Sequence, residues 1–257
     1  MIDPVFERLR ARDEAALVPY VLAGYPTLER SLDIAAALAA GGADLLEIGI
    51  PWSDPIADGP TIEQAGHAAL AAGTRLRHVL DALEARRLGV PSIVMSYLNP
   101  LLARGFEHAL ERLARAGVAG VIVPDLPLDE ARPFRLALER ASLTLIPLVA
   151  PTTDDRHLVR LAALDCGFVY CVSVTGTTGA RASLPPELPQ QLRRVRDATR
   201  LPVVAGFGIS TPEQVREVCA HCDGVVVGSR LVQAIRDGED PLEHVRRLKS
   251  ATRRDAC

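Results

Sequence analysis

The sequence predicts an α/β protein, a (β/α)8 TIM barrel with an extra N-terminal helix, and three observations predict it. Eight short apolar runs recur along the 257 residues. They are nearly continuous in apolar residues, as strands of a parallel sheet buried on both faces are. The segments between them carry apolar residues at three- and four-residue spacing, the signature of amphipathic crossover helices. About 250 residues is the usual length of one such barrel. No linker or low-complexity tract divides the chain, so residues 1–257 are expected to form a single domain.

The elements follow in order. A helix near Phe6 to Arg12 precedes the first strand, VPYVLAG (18–24). LERSLDIAAALAAGG has helical period and leads to the second, DLLEIGI (44–50), which stops at Pro51. The loop PWSDPIADGP comes next, and Thr61 with Gln64 in TIEQ predicts a capping box that opens the following helix. The third strand is PSIVMSY (91–97); FEHALERLARAG then leads to the fourth, GVIVPD (120–125). LTLIPLVA (143–150), FVYCVS (168–173) and LPVVAGFG (201–208) are the fifth to seventh. TPEQVREVCAHC is the helix before the eighth, GVVVGS (224–229). A doubly wound open sheet is the alternative, but its dinucleotide fingerprint G-x-G-x-x-G is missing after the first strand, as is G-x-x-x-x-G-K-[ST].

Bulk properties exclude several function classes. A net charge of -3 with no block of like charge removes the electrostatic footprint of nucleic-acid or anionic-membrane binding, which leaves a small-molecule ligand. No apolar run is long enough to span a bilayer and the N-terminus lacks an apolar signal region, so a soluble cytoplasmic protein is expected. Five cysteines, an odd number, fit a reducing compartment. Cys219, His221 and Cys222 lie close together, but a zinc site needs a further ligand, and small helix-end residues are the favoured reading. Lys249 is the only lysine against 28 arginines and sits in a C-terminal helical segment, which nearly excludes Schiff-base chemistry. No strand end carries a histidine, so metal-dependent aldol chemistry is disfavoured and no metal ligand is assigned.

In a barrel the chemistry lies at the C-terminal ends of the strands. Strand alternation turns Leu46, Ile48 and Ile50 toward the helices and Leu45, Glu47 and Gly49 into the interior. Glu47 is then a carboxyl in a low-dielectric core, with its pKa raised toward acid/base use; a structural hydrogen-bond network is an equally weighted reading. Asp54 and Asp58 follow in a loop restricted by Pro51, Pro55 and Pro60, although each aspartate is also ordinary turn chemistry. Three glycine-bearing loops, VTGTTGAR, GFGIS and GSR, follow the last three strands. Thr178, Gly179, Gly208, Gly228 and Ser229 can make a phosphate nest there, or simply permit tight turns. Tyr20, Tyr97 and Tyr170 on strands, Phe207 just after one, and Ile62, Ile122 and Val226 can wall a flat apolar ligand or pack the core. These residues alone describe a barrel enzyme for a phosphorylated, partly apolar small molecule, working through carboxylates.

At LLEIGIPWSDPIADGPTIEQA the sequence closely resembles the tryptophan synthase α subunit family. The resemblance runs through PYVLAGYP, MSYLNPLL, GVIVPDLPLDE, LVAPTTDDR, FVYCVSVTGTTGAR, VVAGFGIS and GVVVGSR in the family's order. It implies retro-aldol cleavage of indole-3-glycerol phosphate to indole and D-glyceraldehyde 3-phosphate, with Glu47 and Asp58 as the catalytic carboxylates and Tyr170 beside the glutamate. It implies that Thr178 approaches Asp58 on closure, that Gly179, Gly208, Gly228 and Ser229 hold the phosphate, and that Tyr20, Ile62, Tyr97, Ile122, Phe207 and Val226 wall the indole. Pro51, Asp54, Asn99 and Pro127 fall where the family meets its β subunit, and the loop after Ser173 corresponds to a second lid. No cofactor is implied for this chain; pyridoxal phosphate is expected only on the β subunit of an α2β2 heterotetramer. A stand-alone lyase releasing free indole is the alternative. Tyr20, Leu22 and Thr177 depart from common family residues.

Overall fold

The apolar runs become strands buried on both sides in the computed structural model, which describes residues 2–103, 105–164, 166–172, 184–206 and 208–254. In chain order the elements are α1 (Asp3–Arg10), β1 (Ala16–Leu22), α2 (Leu28–Ala40), β2 (Leu46–Gly49), α3 (Pro60–Ala71), α4 (Leu76–Glu84), β3 (Ser92–Met95), α5 (Leu98–Leu102), α6 (Phe106–Arg115), β4 (Val118–Ile122) and α7 (Arg132–Arg140). They continue with β5 (Thr144–Leu145), β6 (Leu148–Val149), α8 (Asp155–Leu161), β7 (Val169–Val172), α9 (Leu188–Thr199), β8 (Val203–Gly206), α10 (Pro212–Cys219), β9 (Gly224–Val227), α11 (Ser229–Arg236) and α12 (Pro241–Ser250).

All pairings are parallel, in the order β5-β4-β3-β2-β1-β9-β8-β7-β6. The two end strands are halves of the single fifth run, LTLIPLVA, so the sheet closes on itself as a (β/α)8 barrel. The run breaks because Pro147 has no N–H to give a ladder. It still joins its neighbours: Ile146 N–H donates to Val121 O at 2.9 Å, and Tyr170 N–H donates to Pro147 O at 3.0 Å.

Strand alternation divides the core into two layers. Leu46, Ile48, Val94, Val121 and Val225 pack outward against the helices, while Leu45, Ile93, Ile122, Val204 and Val226 fill the barrel. Each such side chain contributes ~1.5–3 kcal/mol by leaving water. Helix α1 adds Val5, Phe6 and Leu9 to the inner layer, and the rings of Phe6 and Phe168 stand 5.6 Å apart.

Two sequence expectations shift. The first helix spans Asp3–Arg10 rather than Phe6 to Arg12, because Pro4 suits a first helical turn and the chain leaves the helix before Asp13, which has φ 53. The capping box at Thr61 and Gln64 does not form: the N-cap is Gly59, two residues earlier, with Pro60 preset for the first turn of α3. A capping box does open α10, where Thr211 Oγ1 accepts Gln214 N–H at 3.3 Å and Gln214 Oε1 accepts Thr211 N–H at 3.2 Å.

Lys249 lies at the end of the barrel where strands begin. Its Nζ is 2.8 Å from Asp44 Oδ2 and 3.2 Å from Glu14 Oε2, and Asp44 also accepts Leu17 N–H at 2.9 Å. Cys219 and Cys222 are buried; Cys222 Sγ donates to Val218 O and Gly224 O, and burial pushes its thiol up to about 12. Among the described residues no helix is long and apolar enough to cross a membrane.

Candidate active site

Among the described residues Glu47 is the one carboxylate on a barrel-lining strand position, where β2 pairs it with Tyr20 of β1 and Ile93 of β3. Its side chain is 1% exposed and its Oε2 has no hydrogen-bond partner. An unpaired buried polar oxygen costs roughly 1–3 kcal/mol, so this atom is held for something other than stability. Burial first, and the charge of Asp58 second, push the Glu47 carboxyl up to about 8.

Asp58 comes over the end of the same strand on the 51–59 loop. Burial raises its carboxyl to about 6; the Tyr97 hydroxyl donates to it and opposes the rise, and Glu63 adds to it. Asp58 therefore ionises first, and its charge adds to the burial that resists ionisation of Glu47. Between about pH 6 and 8 the site holds a carboxylate at Asp58 and a carboxylic acid at Glu47.

Three phenols surround the pair. Burial, with the nearby carboxyls, keeps Tyr20 and Tyr170 protonated far above neutral pH, and Tyr97 is pushed up to about 12. The rings of Tyr20 and Tyr170 fit because the facing strands carry glycine. A Cβ on Gly49 would stand 2.0 Å from Tyr20 Oη, and one on Gly206 would stand 2.3 Å from Tyr170 Oη.

A narrow cavity, open to solvent, joins these groups to the glycine loops. Of the residues singled out in the sequence, Tyr20, Glu47, Asp58, Ile62, Tyr170, Gly208, Val226, Gly228 and Ser229 line it. Ile122 is buried in the inner layer beneath it and Tyr97 reaches it through Asp58. Thr178, Gly179 and Phe207 lie outside the described residues, as does the loop that follows Val172.

At the cavity's far end Gly228 precedes α11, and the first amides that return to Gly228 O are Leu231 and Val232. The N–H groups of Ser229 and Arg230 thus come before the first closed turn, at the positive end of the helix dipole, beside Gly208 with φ 93. The Arg230 guanidinium turns away to Glu239, 2.6 Å distant, so an anion here would meet backbone and hydroxyl donors.

Met95, Ile209 and Arg230 line the cavity too, and sequence reasoning missed them. Met95 was findable, since it lies two residues before Tyr97 and shares its inward face. Arg230 and Ile209 enter beside glycine loops whose path the sequence does not fix.

The residues assigned to a partner contact lie around the loops at the strand ends. Asp54, Asn99 and Pro127 are exposed and Pro51 is buried. Ile56 is 70% exposed and shares an open groove with Pro127.

Comparison with known proteins gives a consistent result. A family model described as "Tryptophan synthase alpha chain" matches residues 6–256. A tryptophan synthase alpha chain of Carboxydothermus hydrogenoformans is 50% identical over 92% of this chain and 89% of its own length. One from Roseiflexus castenholzii is 46% identical over 98% and 97%. Among solved structures, a chain of Mycobacterium tuberculosis tryptophan synthase superposes with TM-score 0.91 at 38% identity, covering 98% of each chain. Tryptophan synthase subunit alpha from Legionella pneumophila gives 0.88 at 33%, covering 98% and 97%.

Proposed function

The chain belongs to the tryptophan synthase alpha chain family, and from that premise we propose how its own residues perform the reaction. The reaction is a carbon–carbon lyase step of tryptophan biosynthesis, the cleavage of indole-3-glycerol phosphate to indole and D-glyceraldehyde 3-phosphate. Glu47, as the acid, gives its proton to indole C3. The ring becomes an indoleninium whose positive charge at N1–H is held by the Asp58 carboxylate. Glu47, now a carboxylate, takes the proton of the hydroxyl on the adjacent carbon; the C–C bond breaks, its electron pair restores the indole double bond, and the hydroxyl-bearing carbon becomes the aldehyde. Glu47 ends protonated, so the cycle balances without another reagent.

The observation that carries this reading is the order of ionisation. Only with Asp58 charged and Glu47 neutral is there a proton for C3 and an anion for N1, and the burial of both, with the Asp58 charge acting on Glu47, favours that state near neutral pH. Tyr170 flanks Glu47. Ser229, Gly228 and Gly208, with Thr178 and Gly179, take the phosphate, and Tyr20, Ile62, Tyr97, Ile122, Phe207 and Val226 take the indole. The chain acts as one domain over residues 1–257, in the cytoplasm, on side chains alone. Its partner is a β subunit that carries pyridoxal phosphate in an α2β2 heterotetramer, docking by Pro51, Asp54, Asn99 and Pro127.

Indole release from indole-3-glycerol phosphate tests both parts. Glu47→Gln and Asp58→Asn should each lose about 10²-fold or more. Addition of a β subunit should raise activity strongly; full activity without it would instead support the stand-alone lyase.

A further inference from the structure

The loop that carries Asp58 runs from Pro51 to Gly59 between β2 and α3. Three prolines in residues 51–60 remove donors, and the Ser53 to Asp54 contact stays within the loop. Among the described residues, one phenol ties residues 56–58 to the barrel. Ala57 N–H donates to Tyr97 Oη at 2.9 Å, Ile56 N–H adds to it, and the Tyr97 hydroxyl donates onward to the Asp58 carboxyl. Tyr97 is itself 4% exposed and is the N-cap residue of α5, a helix of only five residues. Such a helix is too short to hold its own start. The first N–H of α5, on Leu98, is taken instead by Asp125 Oδ1 at 2.9 Å, from the segment just beyond β4. Asp125 does not line the cavity.

We propose that Asp125 is a positioning residue for the lyase reaction: it fixes the Tyr97–Leu98 turn, and Tyr97 in turn fixes the loop and the carboxyl of Asp58. This rests on the role given to Asp58 above. The link runs between three strand ends, Asp125 after β4, Tyr97 after β3 and Asp58 after β2, so each loop is placed by the next one round the barrel rim. The charged and titratable groups that face the Asp58 carboxyl are Glu47, Glu63, Tyr20 and Tyr97, and those facing Tyr97 are Asp58, Asp125 and Tyr20. Of these Tyr97 is the one whose bond lowers the Asp58 pKa, so freeing Tyr97 moves it up.

The test uses the full chain with the variants Asp125→Ala, Asp125→Asn, Tyr97→Phe and the double variant Asp125→Ala/Tyr97→Phe. Two readouts are taken: the pH profile of kcat/KM for indole release, and amide hydrogen exchange at Ala57. Tyr97→Phe should lower kcat roughly 10-fold or more and move the acid limb of the profile to higher pH. Asp125→Ala should do the same to a lesser degree, speed exchange at Ala57, and add little in the Tyr97→Phe background. Asp125→Asn keeps an acceptor for Leu98 N–H and should recover most of the loss. An unmoved acid limb and unchanged Ala57 exchange in Asp125→Ala, or full additivity with Tyr97→Phe, would overturn the proposal. If the unmodified chain releases no indole, the lyase assignment fails by itself, and exchange at Ala57 still decides the link.

Discussion

The Glu47 carboxyl is placed where it opposes folding whenever it is charged. Its pKa lies near 4.5 in an unfolded chain and about 8 in the barrel, so its contribution to stability is fully present below 4.5 and is lost as pH rises through 8. The full span amounts to about 5 kcal/mol. Glu47→Gln should therefore raise the melting temperature at pH 9 and leave it nearly unchanged at pH 5, while abolishing indole release. Activity should respond in the opposite sense. kcat/KM should fall below about pH 6, where Asp58 is protonated, and above about 8, where Glu47 has lost its proton. A profile flat across that range would remove the ionisation order from the mechanism. Gly49→Ala should cost ~1–3 kcal/mol in denaturant unfolding, because its methyl would meet the Tyr20 ring.

At the scale of elements, what the sequence showed depended on how local the signal was. The apolar runs gave the strands, and their alternation turned Glu47 inward, because side-chain direction on a strand needs only residue parity. Helix starts were less legible. TIEQ and TPEQ have the same pattern, yet only the second forms a capping box, since Pro60 lets α3 begin a residue before Thr61. Likewise LTLIPLVA reads as one strand and folds as two, with Pro147 at the break. Thr211→Ala should cost about 1 kcal/mol of stability by removing the cap of α10. Thermal melts of that variant beside Thr61→Ala, for which no such loss is expected, check the assignment.

For the whole molecule, the barrel separates stability from chemistry by its two ends. Lys249 bridges Asp44 and Glu14 where the strands begin, and the cavity opens where they end. Lys249→Met should therefore lower stability by about 1–3 kcal/mol, since the largely buried Asp44 keeps only the more distant Arg8, at 3.7 Å, and leave kcat for indole release unchanged. A drop in kcat would show that the two ends are coupled.

The sequence by itself determined the strand order, the inward side of each strand, the carboxylates at and after the end of the second strand and the glycine loops after the last three. Each of these follows from residue type and short-range spacing. Only the tertiary structure decided that Asp58 ionises before Glu47, that Tyr97 holds the Asp58 loop, and that Asp125 holds Tyr97. Those properties arise from burial and through-space contact between strand ends separated by 27 residues or more, as Leu98 and Asp125 are, and no local pattern encodes the distance between them.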